Sequence, residues 1–249
     1  MMDRVRVVLS HTSHPGNIGA AARAMKTMGL RNLYLINPKH FPDPQANSLA
    51  AGADDILAQA VVCDSLDAAL QDVVLTVGMT ARLRDISLEV KTPRAAMPEV
   101  VQCAQHAPVA LLFGTEMSGL SNEELMRAQV LINIPTNPDF SSLNVAAAVQ
   151  VLCYELSVAA AAFQPAAVPE EARASHQQME GYFAHLEQTL TEIDFFSSHN
   201  PGRMMQRLRR LYARARLETD EVHILRGILS VTRSYNARLR KRYQEEHGE

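Results

Sequence analysis

Three short stretches of the sequence combine small residues with side chains that can hold a ligand. Residues 10–23 contain two glycines and three alanines ahead of Arg23, whose guanidinium should point back toward the preceding loop. Residues 112–124 place Glu116 between two glycines, where it is either a ligand contact or a solvated loop carboxylate. Residues 134–146 bring together prolines, serines and asparagines. Guanidinium, carboxylate and amide groups in such loops predict a pocket for a polar ligand.

Several of these polar residues also have a simpler structural interpretation. Ser121 followed by Glu124 predicts a capping box at the start of a helix. Ser141 or Ser142 can cap the long apolar helix that follows. Asn144 then falls in the first turn of that helix, where asparagine is unfavourable unless its side chain makes a specific hydrogen bond.

The glycines at positions 16 and 19 allow two alternatives. They match part of a dinucleotide-binding fingerprint, which would indicate a nicotinamide-dependent enzyme. Against this, the turn lacks G-x-G, and the second predicted strand is followed by Asn37 where an acidic residue would bind a ribose. Alternatively, Gly19 and the three alanines after it simply let a helix pack closely on a sheet.

Short apolar runs bounded by turn or polar residues predict six β-strands. They cover 5–9, 33–36, 61–63, 73–77, 109–113 and 130–134. Helical patterns lie between and after them, at 18–28, 48–59, 66–70, 99–105, 122–128 and 143–163. This alternation predicts an α/β fold, with a mostly parallel sheet and helices on both faces. Ligands of such sheets bind beyond the carboxyl ends of the strands, so we expect the three stretches and a fourth loop, 78–84, at one edge.

The second part of the chain has a different pattern. Residues 164–172 contain prolines that interrupt the alternation, and we interpret them as a linker that follows a first domain of residues 1–163. Residues 173–249 contain helical patterns at 176–193, 203–215 and 221–242 and no strand candidate. They predict a small all-α domain.

Composition and charge exclude several classes of protein. With 47% hydrophobic and 20% charged residues, the 249-residue chain is neither disordered nor a membrane bundle. Its N-terminus lacks a secretory signal, so we expect a cytoplasmic protein with no membrane contact. Cysteines at 63, 103 and 153 exclude a disulfide framework and lack the close pairs of a zinc site. The net charge of −3 conceals a segment, 203–242, with 12 basic and three acidic residues, which can meet a polyanion.

The order of the motifs is more specific than any one of them. N-x-G-x-x-x-R at 17–23, F-G-x-E-x-x-G-L at 113–120 and S-L-N-V at 142–145 together resemble the motifs of the SPOUT class of RNA methyltransferases, particularly the branch that methylates ribose 2′-oxygens. Matches at 22–30, 185–190 and 224–229 are similar to bacterial members that act on nucleotide 32 of the tRNA anticodon loop. The resemblance spans nearly the whole chain. One departure is Thr115, where the closest relatives are expected to carry an arginine.

The resemblance implies a fold and a cofactor. It implies a sheet whose C-terminal part is threaded into a trefoil knot, an exception to the usual absence of knots. It also implies a homodimer with its active site at the subunit interface, and S-adenosyl-L-methionine held largely by backbone groups of three loops. The residues that match those loops are Met79, Thr80, Ala81, Gly114, Ile134, Ser141, Ser142 and Leu143.

The implied reaction is in-line transfer of a methyl group to a ribose hydroxyl, which requires no metal. Arg23 would anchor the adjacent phosphate and stabilise the developing alkoxide, or take the proton directly. Asn17 and Glu116 would orient Arg23 or the ribose, while Ser142 and Asn144 would add polar contacts.

The basic segment would bind tRNA phosphates, although a solvated or dimer-contacting face is the alternative for some of its residues. Its RNA-binding candidates are Arg203, Arg207, Arg209, Arg210, Arg214 and Arg216. The expected function is therefore S-adenosylmethionine-dependent 2′-O-methylation of cytidine or uridine 32 in tRNA. A different tRNA or rRNA nucleotide is the first alternative, and a non-catalytic RNA-binding module is a more distant one.

Overall fold

The computed structural model describes residues 1–81, 90–163, 172–196 and 200–247. The chain divides into two compact units, Met1–Glu170 and Glu171–Glu249. The predicted linker, 164–172, lies outside the described residues except for its last position, and so does the end of the predicted loop 78–84.

The first unit is built on a seven-stranded sheet in which every pairing is parallel. The strands are β1 Val5–Ser10, β2 Asn32–Ile36, β3 Val61–Cys63, β4 Leu75–Met79, β5 Val90–Lys91, β6 Val109–Phe113 and β7 Val130–Ile132. They lie in the order β3-β2-β1-β6-β4-β7-β5. The prediction of a parallel α/β sheet is confirmed. β5 was not predicted, because two residues are too few to form a hydrophobic pattern.

In the described part of this unit, the strands are accompanied by seven α-helices: α1 Pro15–Thr27, α2 Pro44–Ala50, α3 Asp54–Ala58, α4 Leu66–Leu70, α5 Pro93–Ala104, α6 Asn122–Arg127 and α7 Val145–Ala162. α1, α2, α5 and α7 pack together through apolar residues of one core. The rule that connections between parallel strands are right-handed places α4 and α6 on the opposite face, and Asp67 of α4 forms an ion pair with Arg127 of α6 at 3.6 Å. The sheet is therefore covered on both faces, as predicted.

Two helix boundaries differ from the sequence prediction for identifiable reasons. A single helix at 48–59 is wrong, because Ala51 and Gly52 have φ of 44° and 94° and break it into α2 and α3. α1 begins at Pro15 rather than at position 18, since proline suits the first turn of a helix. Arg23 consequently lies in the third turn of α1 rather than the second.

α7 is long and apolar enough to cross a membrane by length and composition, with a mean hydropathy of 1.7. It packs against α1 and α5, however, and its inner residues Val149, Leu152, Cys153 and Leu156 are completely buried. α7 is therefore a core helix of the first unit.

The register of the sheet brings the predicted loops together. Leu9 of β1 pairs with Phe113 of β6, and Met79 of β4 pairs with Ile132 of β7. The strands β1, β6, β4 and β7 are immediate neighbours, so the four loops after them lie side by side at the carboxyl edge. This confirms the expectation that they share one edge of the sheet.

The second unit is helical, as predicted, with α8 His176–Glu192, α9 Pro201–Ala215 and α10 Thr219–His247. A capping box formed by Ser175 and Gln178 begins α8. The core contains Tyr182, Phe183 and Met205, and the Tyr182 ring meets that of Tyr212 edge-on at 5.0 Å. An isolated backbone bridge between residues 173 and 218 is the one β pairing among the described residues of this unit.

Candidate active site

A pocket opens at the carboxyl edge of the sheet, where the loops after β4, β6 and β7 meet. All eight residues expected to hold the cofactor line it: Met79, Thr80, Ala81, Gly114, Ile134, Ser141, Ser142 and Leu143. Their assembly follows from strand order, because residues far apart in sequence come from adjacent strands. The structure thus brings the predicted cofactor residues into one place.

The lining of the pocket combines apolar side chains with polar groups. Met79, Leu120, Ile134 and Val145 supply apolar surface, while hydroxyls and backbone groups come from Thr80 and the two serines 141 and 142. The backbone of Thr80 is held against β7, because the N–H of Thr80 donates to the carbonyl of Ile132 at 2.9 Å. Such a mixture fits a ligand that has both a flat ring system and polar groups.

The loop after β6 is closed on itself. A Cβ at Gly114 would lie 2.1 Å from the carbonyl carbon of Gly119, so only glycine permits this approach. Thr115 and Gly119 exchange backbone hydrogen bonds of 3.2 and 3.0 Å, and the hydroxyls of Thr115 and Ser118 are 2.7 Å apart. Thr115, which departs from the expected arginine, therefore supports the closed form of this loop.

Glu116 joins the loop after β6 to the loop after β1. Its carboxylate accepts hydrogen bonds from the N–H and hydroxyl of Ser13 at 3.2 and 2.9 Å, from the N–H of His14 at 3.2 Å, and from the side-chain amide of Asn17 at 3.0 Å. Burial alone would raise the pKa of Glu116, but hydrogen bonds from Asn17 and from backbone N–H groups outweigh it and lower the pKa to about 2. Glu116 is therefore ionised at neutral pH, and it is not simply a solvated loop carboxylate.

Asn144 continues this network from the third motif. Its side-chain N–H donates to the side-chain oxygen of Asn17 at 2.8 Å, while its own oxygen accepts from the N–H groups of Ala146 and Ala147. Asn144 is consequently the N-cap of α7. The prediction that Ser141 or Ser142 caps this helix is wrong, because the helix begins at Val145. Glu116, Asn17 and Asn144 thus form one chain of hydrogen bonds across the three motifs.

Arg23 and Ser142 occupy different positions relative to this network. Ser142 lines the pocket and is exposed. Arg23 is exposed on α1, outside the pocket lining, and it forms no hydrogen bond or ion pair within the part of the chain that is described. Its guanidinium makes no hydrogen bond with the preceding loop, whose donors at Ser13 and His14 bind Glu116. The structure therefore brings together four of the five predicted catalytic residues.

Sequence reasoning missed a further contact, which ties the end of β1 to α6. Ser10, at the end of β1, donates a hydrogen bond to Glu124. The same carboxylate accepts from the N–H of Ser121 at 2.7 Å, which completes the predicted capping box. The Ser13 and His14 donors to Glu116 were missed as well. Only their place directly after a strand could have indicated them.

Comparison with known proteins decides the family. Residues 4–154 match the SpoU rRNA Methylase family. The chain belongs to the SpoU methylase family. This confirms the resemblance to SPOUT methyltransferases. Residues 177–245 match a second family described as the C-terminal domain of the tRNA methyltransferase TrmJ.

Relatives of this SpoU methylase match over nearly their whole length. The tRNA (cytidine/uridine-2′-O-)-methyltransferase TrmJ of Pectobacterium atrosepticum is 47% identical over 92% of this chain and 97% of its own. The crystal structure of TrmJ from Z. mobilis ZM4 has a TM-score of 0.78 at 32% identity and covers 91% of this chain and 97% of that one. A probable methylase family protein from Haemophilus influenzae Rd KW20 has a TM-score of 0.63 at 43% identity, with coverages of 94% and 98%.

In the helical unit of this SpoU methylase, some of the predicted RNA-binding arginines are exposed to solvent and others are partly buried. Arg203, Arg207 and Arg214 are exposed on one face of α9, because their spacings of four and seven residues are helical. Arg210 belongs to the same face and is partly buried. Arg216 is also partly buried and lies just after α9, with a φ of 52°.

Arg209 differs from its neighbours on α9. Its guanidinium makes two hydrogen bonds with the carboxylate of Glu180, at 2.6 and 2.9 Å, and lies 4.4 Å above the ring of Phe183. A bidentate ion pair combined with stacking uses most of the binding capacity of an arginine. Arg209 therefore connects α9 to α8, a role that its charge alone did not indicate.

Two other features of this SpoU methylase bear on its chemistry. Among the described residues, no group of three or more histidine, cysteine or acidic side chains could hold a metal ion. The cysteines at 63, 103 and 153 are free and buried, and burial raises the pKa of Cys153 to about 12. These cysteines are therefore structural residues.

Proposed function

We propose that this SpoU methylase transfers a methyl group from S-adenosyl-L-methionine to the ribose 2′-oxygen of cytidine or uridine 32 in the tRNA anticodon loop. The observation that carries the proposal is the hydrogen-bonded chain Glu116–Asn17–Asn144 beside the pocket. Relatives named tRNA (cytidine/uridine-2′-O-)-methyltransferase support the substrate, and position 32 comes from the resemblance of the motifs. A different tRNA or rRNA nucleotide remains the main alternative.

The residues of the pocket fit the proposed cofactor. Apolar side chains such as Leu120 and Val145 suit an adenine ring, and the hydroxyls of Thr80, Ser141 and Ser142 suit its polar groups. S-adenosyl-L-methionine supplies, when bound, a methyl group on a positively charged sulfur. The closed loop at Gly114 excludes side chains from this edge of the pocket and keeps its shape fixed.

Side chains of the protein would orient the ribose and stabilise the negative charge that develops on its 2′-oxygen. Glu116 is ionised and already accepts four hydrogen bonds, so it orients Asn17 rather than accepting a proton. Asn17 and Asn144 are neutral amides that can hold a ribose hydroxyl in line. Arg23 would bind the phosphate next to the target ribose and stabilise the 2′-oxygen as its proton passes to water.

A homodimer is part of the proposal, with the active site at the subunit interface. Exposed apolar residues support it, because Met117 and Phe140 beside the pocket are 94% and 81% exposed. Tyr154 and Val158 of α7 are exposed as well, one helical turn apart. A site shared by two subunits would also agree with the position of Arg23 on the surface of α1.

We further infer the trefoil knot and a cytoplasmic location. The strand order supports the knot, because the last strand, β7, is inserted between β4 and β5, which follow one another in the chain. tRNA as the substrate supports the location.

Methylation of unmodified tRNA transcripts in vitro tests the proposal. The protein is incubated with S-adenosylmethionine and a tRNA carrying cytidine or uridine 32, and the methylated nucleotide is mapped by mass spectrometry. We expect a 2′-O-methyl group at position 32 and no product from a transcript with 2′-deoxyribose there. A methyl group on a base, or at another nucleotide, would contradict the proposal.

A further inference from the structure

The helical unit has a groove between α8 and α10 that none of the predicted RNA-binding arginines lines. Its walls are formed by His185 and Glu192 of α8 and by polar residues of α10 that include Arg233, Asn236 and Arg240. Its volume is about 670 Å³, which is ample for a phosphodiester group. The groove is separate from the arginine face of α9.

Two arginines of α10, Arg233 and Arg240, line this groove, and a third, Arg226, lies on the same face of the helix. Arg226, Arg233 and Arg240 are spaced by seven residues, so they share one face of the helix at intervals of about 10 Å. The guanidinium of Arg226 lies 4.0 Å from where a Cβ of Gly181 would be, and Arg240 donates to the carbonyl oxygen of Glu192. All three therefore face α8.

Among the described residues that line the groove, Glu192 is the one carboxylate. Glu192 binds Arg233 through two hydrogen bonds of 2.7 and 2.6 Å, and Gln188 accepts a third from the same guanidinium at 3.2 Å. This fixes Arg233 and leaves the groove with an excess of positive charge. The side chain of Arg226 is exposed, and its guanidinium makes no hydrogen bond or ion pair with any described residue.

The pKa of His185, on the α8 side of the groove, is also affected by this excess of positive charge. Its pKa is lowered by burial and by the positive charges of Arg233 and Arg226, while Glu192 opposes this only in part. The carboxylate therefore does not neutralise the arginine row. A row of guanidinium groups with a fixed central member, beside neutral hydrogen-bonding groups, is suited to successive phosphates.

We propose that the groove between α8 and α10 is a second RNA site, in which Arg226, Arg233 and Arg240 bind phosphates of the tRNA backbone. This inference rests on the proposed function only in taking tRNA as the ligand. Arg233, which Glu192 and Gln188 hold in place, fixes the position of the RNA backbone along the groove, while Arg226 and Arg240 supply the other phosphate contacts. The site is distinct from the α9 face and carries no base specificity.

The test is the salt dependence of tRNA binding by the full-length protein, measured by filter binding or anisotropy. The double variant Arg226→Ala/Arg240→Ala should lower the slope of log affinity against log salt by about two. Between 50 and 200 mM salt, the wild type should therefore lose about tenfold more affinity than the variant. Arg238→Ala is the control, because it removes one positive charge from another face of α10, two residues from Arg240, and it should lower the slope by less than one.

The outcomes separate the groove from the proposed activity. If the double variant keeps the wild-type slope, or if Arg238→Ala alone lowers the slope as much as the double variant does, the groove is not an RNA site. Calorimetry with S-adenosylmethionine and circular dichroism should show wild-type cofactor binding and helicity in the variants. If the wild type binds tRNA through the groove but does not methylate position 32, the proposed function is wrong, whereas the proposal that the groove binds RNA is confirmed.

Discussion

Replacing Glu116 by glutamine removes the charge that joins the first two motifs. The fall of the Glu116 pKa from 4.5 to about 2 corresponds to about 3 kcal/mol of interaction with the ionised form. Partial exposure of the carboxylate reduces this to about 2 kcal/mol. A neutral amide cannot accept all four hydrogen bonds from Ser13, His14 and Asn17, because one of its two ends only donates.

If the whole loss of about 2 kcal/mol of interaction between Glu116 and its donors raised the activation free energy, kcat would fall by about 30-fold, at about 1.4 kcal/mol for each factor of ten. We therefore expect a decrease in kcat of up to about 30-fold. The assay is steady-state methylation of a tRNA transcript at saturating substrate. Glu123→Gln is the control, because Glu123 is an exposed carboxylate on the same helix as the capping box. Turnover of Glu116→Gln within twofold of the wild type would refute this reasoning.

The same carboxylate predicts a pH dependence of stability. Because folding lowers the pKa of Glu116, its contribution is present above about pH 4.5 and is lost as the pH falls toward 2. The free energy of unfolding should therefore fall more steeply over this range in the wild type than in Glu116→Gln. Parallel curves for the two proteins would show that the carboxylate contributes nothing.

Two further substitutions test the site and its support. Arg23→Ala should abolish methyl transfer and leave the calorimetric affinity for S-adenosylmethionine nearly unchanged; retained turnover would remove Arg23 from the mechanism. Gly19→Ala should lower the melting temperature by about 5 °C, because the new Cβ would lie 2.0 Å from the carbonyl oxygen of Ala46 and overpacking costs about 2 kcal/mol. Gly16→Ala is its control, since that Cβ would meet the flexible ends of the Leu49 and Gln45 side chains and no backbone atom among its nearest neighbours, and equal losses would contradict the steric explanation.

The strand pattern predicted much of the site, because four polar loops follow four apolar runs that prove to be neighbours in the sheet. Sequence could not supply the order β1-β6-β4-β7, which is set by long-range pairing. The sequence also suggested that Gly19 lets α1 pack closely on the sheet, whereas in the structure Gly19 lies against the backbone of Ala46 in α2.

The remaining errors concern polar side chains with more than one available partner. Serine is a favoured N-cap, so Ser141 and Ser142 were preferred over Asn144, yet Asn144 caps α7 and also reaches Asn17. Arg209 has the same charge as its exposed neighbours, and only the position of Glu180 shows that it is engaged. Local patterns reveal which residue types are present, whereas tertiary contacts decide which of them are free to bind.

The most direct test is a map of 2′-O-methyl groups in tRNA from cells with and without this gene. The central claim predicts that methylation of ribose 32 disappears from tRNAs with cytidine or uridine at that position and that other 2′-O-methyl groups are unchanged. Restoration by the wild-type gene but not by an Arg23→Ala copy would tie the loss to this site. Persistence of the methyl group at nucleotide 32 in cells that lack the gene would contradict the claim.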